Sequence, residues 1–385
     1  MIQAIFYGDP DQYPPIVNGA RLLARSGHLV SILALDLGRT WGVSYPASVE
    51  VQRIQARGSS SWEVYLSFVS QALRRADRNA SIVIGHDMHG FLPARLLAVR
   101  DRRPLVYHCH DFAEGSRRFA LGTRLVQLFE RGFARTAQLV IVPDAERSKM
   151  VAEELHLKRP PLVVANAPLL DSGRMTGHRL QEALKHIGCE FERIVFRPGV
   201  IGPNHAIEAT ICSLPLWDNP AWVFAVMGIG QTSYVEHLKR LTAELGVGER
   251  FAVLPPVGYD EVLEFTSGAD VGHGLYQPTH INDMHNTTAS NKIMEYMACG
   301  LPVLASDRPG FRDLVQSYHC GVCVKESAPK SIAAGVNRLL GNPEEAANMG
   351  KAGRHAFETV FCYERQFALV QEAFRTLSRS GCRRG

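Results

Sequence analysis

Short apolar runs alternate with longer amphipathic stretches through the first 170 residues. The runs "IQAIFYG", "HLVSILAL", "SIVIGHD", "PLVYHCHD" and "AQLVIVPD" have strand length, and "PIVNGARLLARSG" and "SWEVYLSFVSQALRRAD" between them carry apolar residues at helical spacing. Strands that are apolar on both faces and separated by helices predict βαβ units around a buried parallel sheet. The alternation pauses at "PPLVVANAPLLDSGRMTGHR" and resumes with "RIVFRPGVIG", "AWVFAVMGIG", "RFAVLPPVG", "ADVGHGLYQ" and "LPVLASD". The expectation is an α/β protein of two Rossmann-like, doubly wound lobes facing across a cleft, over residues 1–170 and 190–360. A last helix, 361–385, is expected to pack back toward the first lobe. Ligands of such sheets sit beyond the carboxyl ends of the strands, so the loops that follow the strands hold the candidates.

Composition narrows the class. At 385 residues, 46% hydrophobic and 21% charged, the chain has material for two globular cores. No run approaches the ~18 apolar residues that span a bilayer. The start "MIQAIFYGDP" lacks a basic n-region, which makes a cytoplasmic protein the expectation. A net charge of +4 suits a phosphorylated ligand but is weak for a nucleic-acid binder. Eight scattered cysteines form no disulfide framework, and Cys320 and Cys323 read as free thiols flanking a buried strand. Nucleophile-elbow, P-loop and His-Glu-x-x-His patterns do not occur, which sets aside serine hydrolases, P-loop kinases and zinc proteases.

The stretch "TTASNKIMEYMACGLPVLASDRPG" raises the sharpest chemical question. Asn291 is a suitable N-cap and Gly300 a suitable C′ residue, which predicts a short helix over 292–299. Its free N–H groups, its positive dipole end and Lys292 would favour a phosphate. Glu295, on the same face as Asn291, could accept both hydroxyls of a ribose. The competing reading is a solvated helix start, which the spacing alone does not exclude. "GIGQTS" is a Gly-x-Gly turn without the third glycine of a dinucleotide fingerprint. His86 and His89 flank Asp87, and His108 and His110 precede Asp111, all at predicted strand ends of the first lobe. One of these four is a candidate for catalysis or substrate orientation. Metal is not expected, since pairs at His-x3-His or Cys-x2-Cys spacing on defined elements are missing. Arg117, Arg124 and Arg131 recur every seven residues, as do Phe119, Val126 and Phe133. That pattern predicts a solvated face over a buried one, with contact to anionic lipid as the alternative.

With these residues in view, the second half resembles the GT-B retaining glycosyltransferases of family 4. "NKIMEYMACGLPVLASDRPGFRDLV" looks like that family's donor-site helix and following strand, and the order of elements is similar from about residue 194 to 375. The first half is similar more loosely, through "GHD", "YHCHD" and "AQLVIVPDAERSKM". The resemblance implies transfer from a nucleoside-diphosphate sugar (UDP, GDP or dTDP), with retention and without a bound metal or other cofactor. It places the acceptor, a small molecule, glycan or lipid-linked sugar, on the first lobe. Glu295 would hold the donor ribose, with Lys292, Asn291, Thr287, Thr288, Arg197, Gly202, Asn204, His205, Gly230 and Val257 around the donor. His86 would be catalytic, and Asp87, His89, His110 and Asp111 would line the acceptor side. Thr287 stands where many members carry a first glutamate, and Val200 and His205 stand near the places of the usual diphosphate-gripping Arg and Lys. More of the phosphate charge would then fall to Lys292, Arg197 and the helix N-terminus. A sugar-nucleotide epimerase, a phosphorylase or a non-catalytic sugar-nucleotide-binding or partner-binding homologue are the alternatives.

Overall fold

The computed structural model describes residues 1–39, 41–112, 120–171, 175–279 and 281–382. The chain divides into two compact units, Met1–Asn166 with the segment from Tyr363 onward, and Ala167–Cys362.

Seven parallel strands build the first unit: β1 (Ile2–Phe6), β2 (Val30–Leu35), β3 (Val49–Ile54), β4 (Ile82–His86), β5 (Leu105–His108), β6 (Leu139–Val142) and β7 (Leu162–Val163). Their order is β3-β2-β1-β4-β5-β6-β7. The five inner strands coincide with the apolar runs, because a strand covered on both faces must be apolar throughout. The edges do not: "VEVQRI" of β3 buries only its two ends, and β7 is two residues long. Both edges therefore escape an apolar-run criterion.

Strand β4 passes into helix Asp87–Arg100 without a loop. Two glycines permit this. A Cβ on Gly85 would lie 2.7 Å from Cα of Phe91, and one on Gly90 would lie 2.4 Å from the Ile5 carbonyl oxygen. Asp87, at the joint, has φ of +54°, a conformation uncommon outside glycine that tends to mark functional positions. Helix Tyr363–Cys382 completes this unit: Tyr363 Oη donates to the Pro15 carbonyl at 3.0 Å, and Gln366 Oε1 accepts from Ala165 N at 3.2 Å.

The second unit is a six-stranded parallel sheet of β8 (Arg193–Pro198), β9 (Trp222–Met227), β10 (Phe251–Leu254), β11 (Val271–Gly274), β12 (Val303–Ser306) and β13 (Gly321–Val324), in the order β10-β9-β8-β11-β12-β13. Cys320 and Cys323 at β13 are free thiols. In β11, "VGHG", side chains alternate between faces. His273 sits within hydrogen-bond reach of Thr210 Oγ1 at 2.8 Å, while Gly272 and Gly274 face helix Asn291–Ala298. A Cβ on Gly272 would meet the Tyr296 ring at 2.2 Å, and one on Gly274 would meet Ile293 Cδ1 at 2.4 Å. The helix thus lies directly on the strand, and Tyr296 Oη donates to the His273 carbonyl at 3.0 Å. Its carboxyl end closes as the sequence suggests, with Gly300 at φ +69° and Arg354 Nη1 donating to the Ala298 carbonyl.

This packing predicts that Gly272→Ala lowers stability by about 1–3 kcal/mol through overpacking. Gly132→Ala, in helix Leu121–Phe133 where an added Cβ meets nothing within 4 Å, should instead stabilise by roughly 0.5–1 kcal/mol. Thermal midpoints of the two variants that move in the same direction would refute the close-approach argument.

Candidate functional site

In the second unit the helix that carries Lys292 and Glu295 spans Asn291–Ala298, and its N-cap is Ser290, whose hydroxyl accepts from Ile293 N. This corrects the expectation for Asn291, which is the first helical residue. Ser290 wins the cap because its short hydroxyl reaches the N3 amide from extended backbone, and Tyr276 Oη holds it at 2.6 Å. Asn291 Oδ1 is left buried without a partner.

Lys292, half-buried, has its ammonium beside the turn after β8. A Cβ on Gly199, where φ is +99°, would stand 2.9 Å from Lys292 Nζ. Gly228, at the end of β9, has φ of +153°, and its Cβ would strike the Gly199 carbonyl oxygen at 1.8 Å. Gly230 pairs with Ile201 in an isolated parallel bridge. The "GIGQTS" turn therefore keeps its glycines so that two strand-end turns can touch and leave the Lys292 ammonium beside bare backbone. Among the described residues Lys292 has no ion-pair partner.

One turn further along the helix, Glu295 is 4% exposed. Burial pushes its carboxyl up to about 7, against a smaller opposing pull from the Lys292 charge. No described residue donates a hydrogen bond to that carboxylate. Its oxygens are not among the fully enclosed atoms without a partner, so donors from outside the protein can reach them and offset the cost of burial.

Arg197 does not stand in the site as expected. It is 1% exposed, its Nη1 donates to the carbonyls of His273 and Leu275, and its guanidinium lies 4.9 Å from the Tyr276 ring centroid. It sits on the central strand β8, and its Nε and Nη2 are buried without a hydrogen-bond partner. With Lys292 it outweighs burial to lower the Tyr276 phenol. Burial, and then the charges of Arg197 and Lys292, keep His205 neutral, with Nδ1 unpartnered. Gly202 approaches that same nitrogen. Asn204 is engaged, its Nδ2 donating to Asp283 at 3.1 Å. The loop after β11 is tied by Arg308, which donates to the carbonyls of Asp283 and Tyr276. Within it Thr287 lies against Gly310, and Thr288 follows, half-buried. Val257, half-buried, packs against the core.

In the first unit a depression of about 350 Å³ at the strand ends is lined by Tyr7, Gly8, Asp9, Tyr13, His86, Asp87 and His89, with Phe6, Gln12 and Leu37. Asp87 Oδ1 accepts from the amides of His110 (2.7 Å) and Asp111 (3.2 Å). Burial, and then the Asp111 charge, raise its carboxyl to about 8. His86 is 5% exposed, and burial lowers its imidazole to about 3. Its Nδ1 is 2.9 Å from His110 Nε2. His110 is therefore an interior partner of His86 and not an open acceptor residue. His89 is wedged against Tyr7 and Tyr65, and the exposed Asp111 side chain faces Arg147 at 3.4 Å. His108, one of the four histidines the sequence singles out, joins this group, its ring centroid 5.4 Å from that of His86 and 4.0 Å from that of His110.

On helix Leu121–Phe133, Arg124 is exposed and Arg131 pairs with Glu154 at 2.9 Å. Val126 is buried, but Phe133 is 42% exposed. Arg117 and Phe119 lie outside the described residues. No helix among the described residues is long and apolar enough to cross a membrane.

Two family models match the chain, "Glycosyl transferase 4-like domain" over residues 16–168 and "Glycosyl transferases group 1" over residues 190–356. The chain belongs to the GT-B glycosyltransferases of family 4. A D-inositol 3-phosphate glycosyltransferase of Streptomyces bingchenggensis is 29% identical to this family member over 144 residues, 37% of this chain and 30% of that one. A GDP-mannose-dependent alpha-(1-6)-phosphatidylinositol monomannoside mannosyltransferase of Mycolicibacterium smegmatis is 30% identical over 136 residues, 35% of each. The matched region thus spans about a third of the length of these curated relatives. The structure of Anabaena HepE in complex with UDP and glucose superposes with a TM-score of 0.75 at 16% identity, over 97% of this chain and 99% of that one. The two-sheet GT-B fold is therefore that of the whole chain.

The Glu295 environment has a direct consequence for stability. A carboxyl raised from 4.5 to about 7 by burial opposes folding when ionised. Its penalty is absent below pH ~4.5, grows through the interval and is complete above pH ~7. Glu295→Gln should therefore be more stable than the native protein at pH 8, by on the order of 3 kcal/mol at most. The two thermal midpoints should converge toward pH 4.5. A Gln variant less stable at pH 8 would mean that the carboxylate is satisfied by the protein itself.

Proposed function

We propose that the protein is a retaining glycosyltransferase that binds a nucleoside-diphosphate sugar on its second unit and a hydroxylated acceptor on its first. The observation that carries this is the Glu295 carboxylate, buried and without a donor, one helical turn from an unpaired Lys292 beside the Gly199 turn. A ribose diol supplies the two hydrogen bonds that Glu295 lacks, and a diphosphate supplies the anion that Lys292 and the helix N-terminus lack. Support also comes from the relatives: one is named for use of GDP-mannose, and the structurally similar HepE was solved with UDP and glucose. The base is left open between UDP, GDP and dTDP.

As the bond from the anomeric carbon to the diphosphate breaks, negative charge grows on the leaving oxygen. Lys292 and the amides of the first helical turn stabilise it electrostatically, with no further cofactor. The acceptor oxygen attacks on the face from which the diphosphate departs, and its proton passes to the departing diphosphate oxygen as the new bond forms. His86, neutral and held through Nδ1, uses its remaining nitrogen to orient the acceptor or the sugar hydroxyls. The anomeric coupling constant of the product tests retention.

The donor assignment is tested by a binding panel. Glu295→Ala should weaken nucleoside and nucleoside diphosphate about equally, by roughly 10- to 1000-fold for the loss of two charge-assisted bonds. Lys292→Ala should weaken the diphosphate far more than the nucleoside. His86→Ala should leave both affinities unchanged and lower turnover by about 10²-fold. Equal losses in all three variants would remove the donor assignment.

The acceptor side carries a second expectation. Leu121, Leu125 and Leu128 are 72%, 48% and 64% exposed on one helical face, with Arg124 between them. This suits peripheral contact with an anionic membrane surface. The protein should co-sediment with anionic vesicles at low salt and release as salt rises, and Leu125→Ser/Leu128→Ser should abolish it. Absence of sedimentation at low salt points to a soluble acceptor.

A further inference from the structure

Three histidines meet at the carboxyl ends of β4 and β5, and glycosyl transfer uses only one of them. His86 and His108 are lateral partners in the sheet register, and His110 follows His108 by two. All three are 5% exposed or less. Each offers one ring nitrogen, and these three nitrogens lie within 4.8 Å of one another. Two further facts distinguish the group from a packed aromatic ladder. His108 Nε2 is buried with no hydrogen-bond partner. His86 Nδ1 and His110 Nε2 face each other at 2.9 Å, so these two neutral imidazoles need a single proton between them.

We propose that His86, His108 and His110 bind one divalent transition-metal ion of the Zn²⁺ class. Imidazole nitrogens select borderline cations over Mg²⁺ and Ca²⁺, which demand oxygen ligands. Tetrahedral bonds of 2.0–2.1 Å put ligand nitrogens about 3.3 Å apart. The His86–His110 pair must open by only a few tenths of an ångström, replacing the shared proton with the ion. Asp87 Oδ1 accepts from the backbone amides of His110 and Asp111, which fixes the chain that carries one of the three ligands. Arg147 Nη1 holds the His110 carbonyl at 2.7 Å from another side. Bound through Nδ1 of His86, the ion would fix that ring's tautomer with its proton on Nε2, the nitrogen left for a ligand in the depression. The site is independent of the donor assignment, since it lies wholly in the first unit.

The test uses the full chain, stripped with chelator and titrated with Co²⁺ as a spectroscopic stand-in for Zn²⁺. One equivalent should bind with the visible bands of a nitrogen-ligated, low-coordinate Co²⁺, Zn²⁺ should displace it, and Mg²⁺ should not. His108→Asn and His110→Asn should each weaken Zn²⁺ binding by at least 100-fold, while Cys320→Ser/Cys323→Ser should bind as the native protein does. Failure to bind one equivalent below about 100 μM, or binding unchanged in both histidine variants, overturns the proposal. Should those variants fail to fold, the native adduct still decides: thiolate-to-cobalt charge-transfer bands would put the ion on cysteines and sink the idea.

Discussion

The site in the second unit depends on how closely a helix can approach a strand. Glycines at 272 and 274 strip one face of β11 of side chains, and helix Asn291–Ala298 settles onto that bare face through Tyr296 and Ile293. Close approach costs backbone entropy at each glycine, and its effect is positional. It carries the first helical turn to the strand ends, where the Gly199 and Gly228 turns have cleared a path to backbone. It also sinks Glu295 below the surface, where a carboxylate selects for hydrogen-bond donors that the protein does not have. Alanines in β11 would lift the helix and expose the acid, and a weaker, water-satisfied carboxylate would discriminate less between ligands.

The first unit uses the same device for another purpose. Gly85 and Gly90 let helix Asp87–Arg100 start on the residue after β4, so the chain reverses with no loop, and the strain is absorbed at Asp87. The carboxylate of Asp87 turns back to the amides that follow β5. In this way one residue ties two strand ends together and seats His86 against His110. Burial then keeps the three imidazoles neutral, as either hydrogen-bond relays or metal ligands must be.

Much of this was legible in the sequence, for reasons that also mark the limits. Central parallel strands are continuous apolar runs, so β1, β2, β4, β5, β6, β8, β9, β11 and β12 stand out, as does the edge strand β10, while β3 buries only its ends and β7 is too short to register. Lys292 and Glu295 were visible as a cation and an acid on a capped helix. The cap itself was misassigned by one residue, because Ser290 and Asn291 are both good caps and only the Tyr276 contact decides between them. The depth of Arg197 was not legible, because proximity to a strand end along the chain says nothing about how far a long side chain is buried.

The final helix has a consequence for the life of the chain on the ribosome. Phe367, Val370 and Phe374 of that helix are buried against the first unit, yet they are made only after the whole of the second, Ala167–Cys362. The second unit is contiguous and can fold as it emerges. The first must wait, its sheet synthesised but its apolar face uncovered, until about 200 more residues have been added. At ~5–20 residues per second, that is an interval of tens of seconds or less in which an open parallel sheet is exposed to chaperones and to its neighbours.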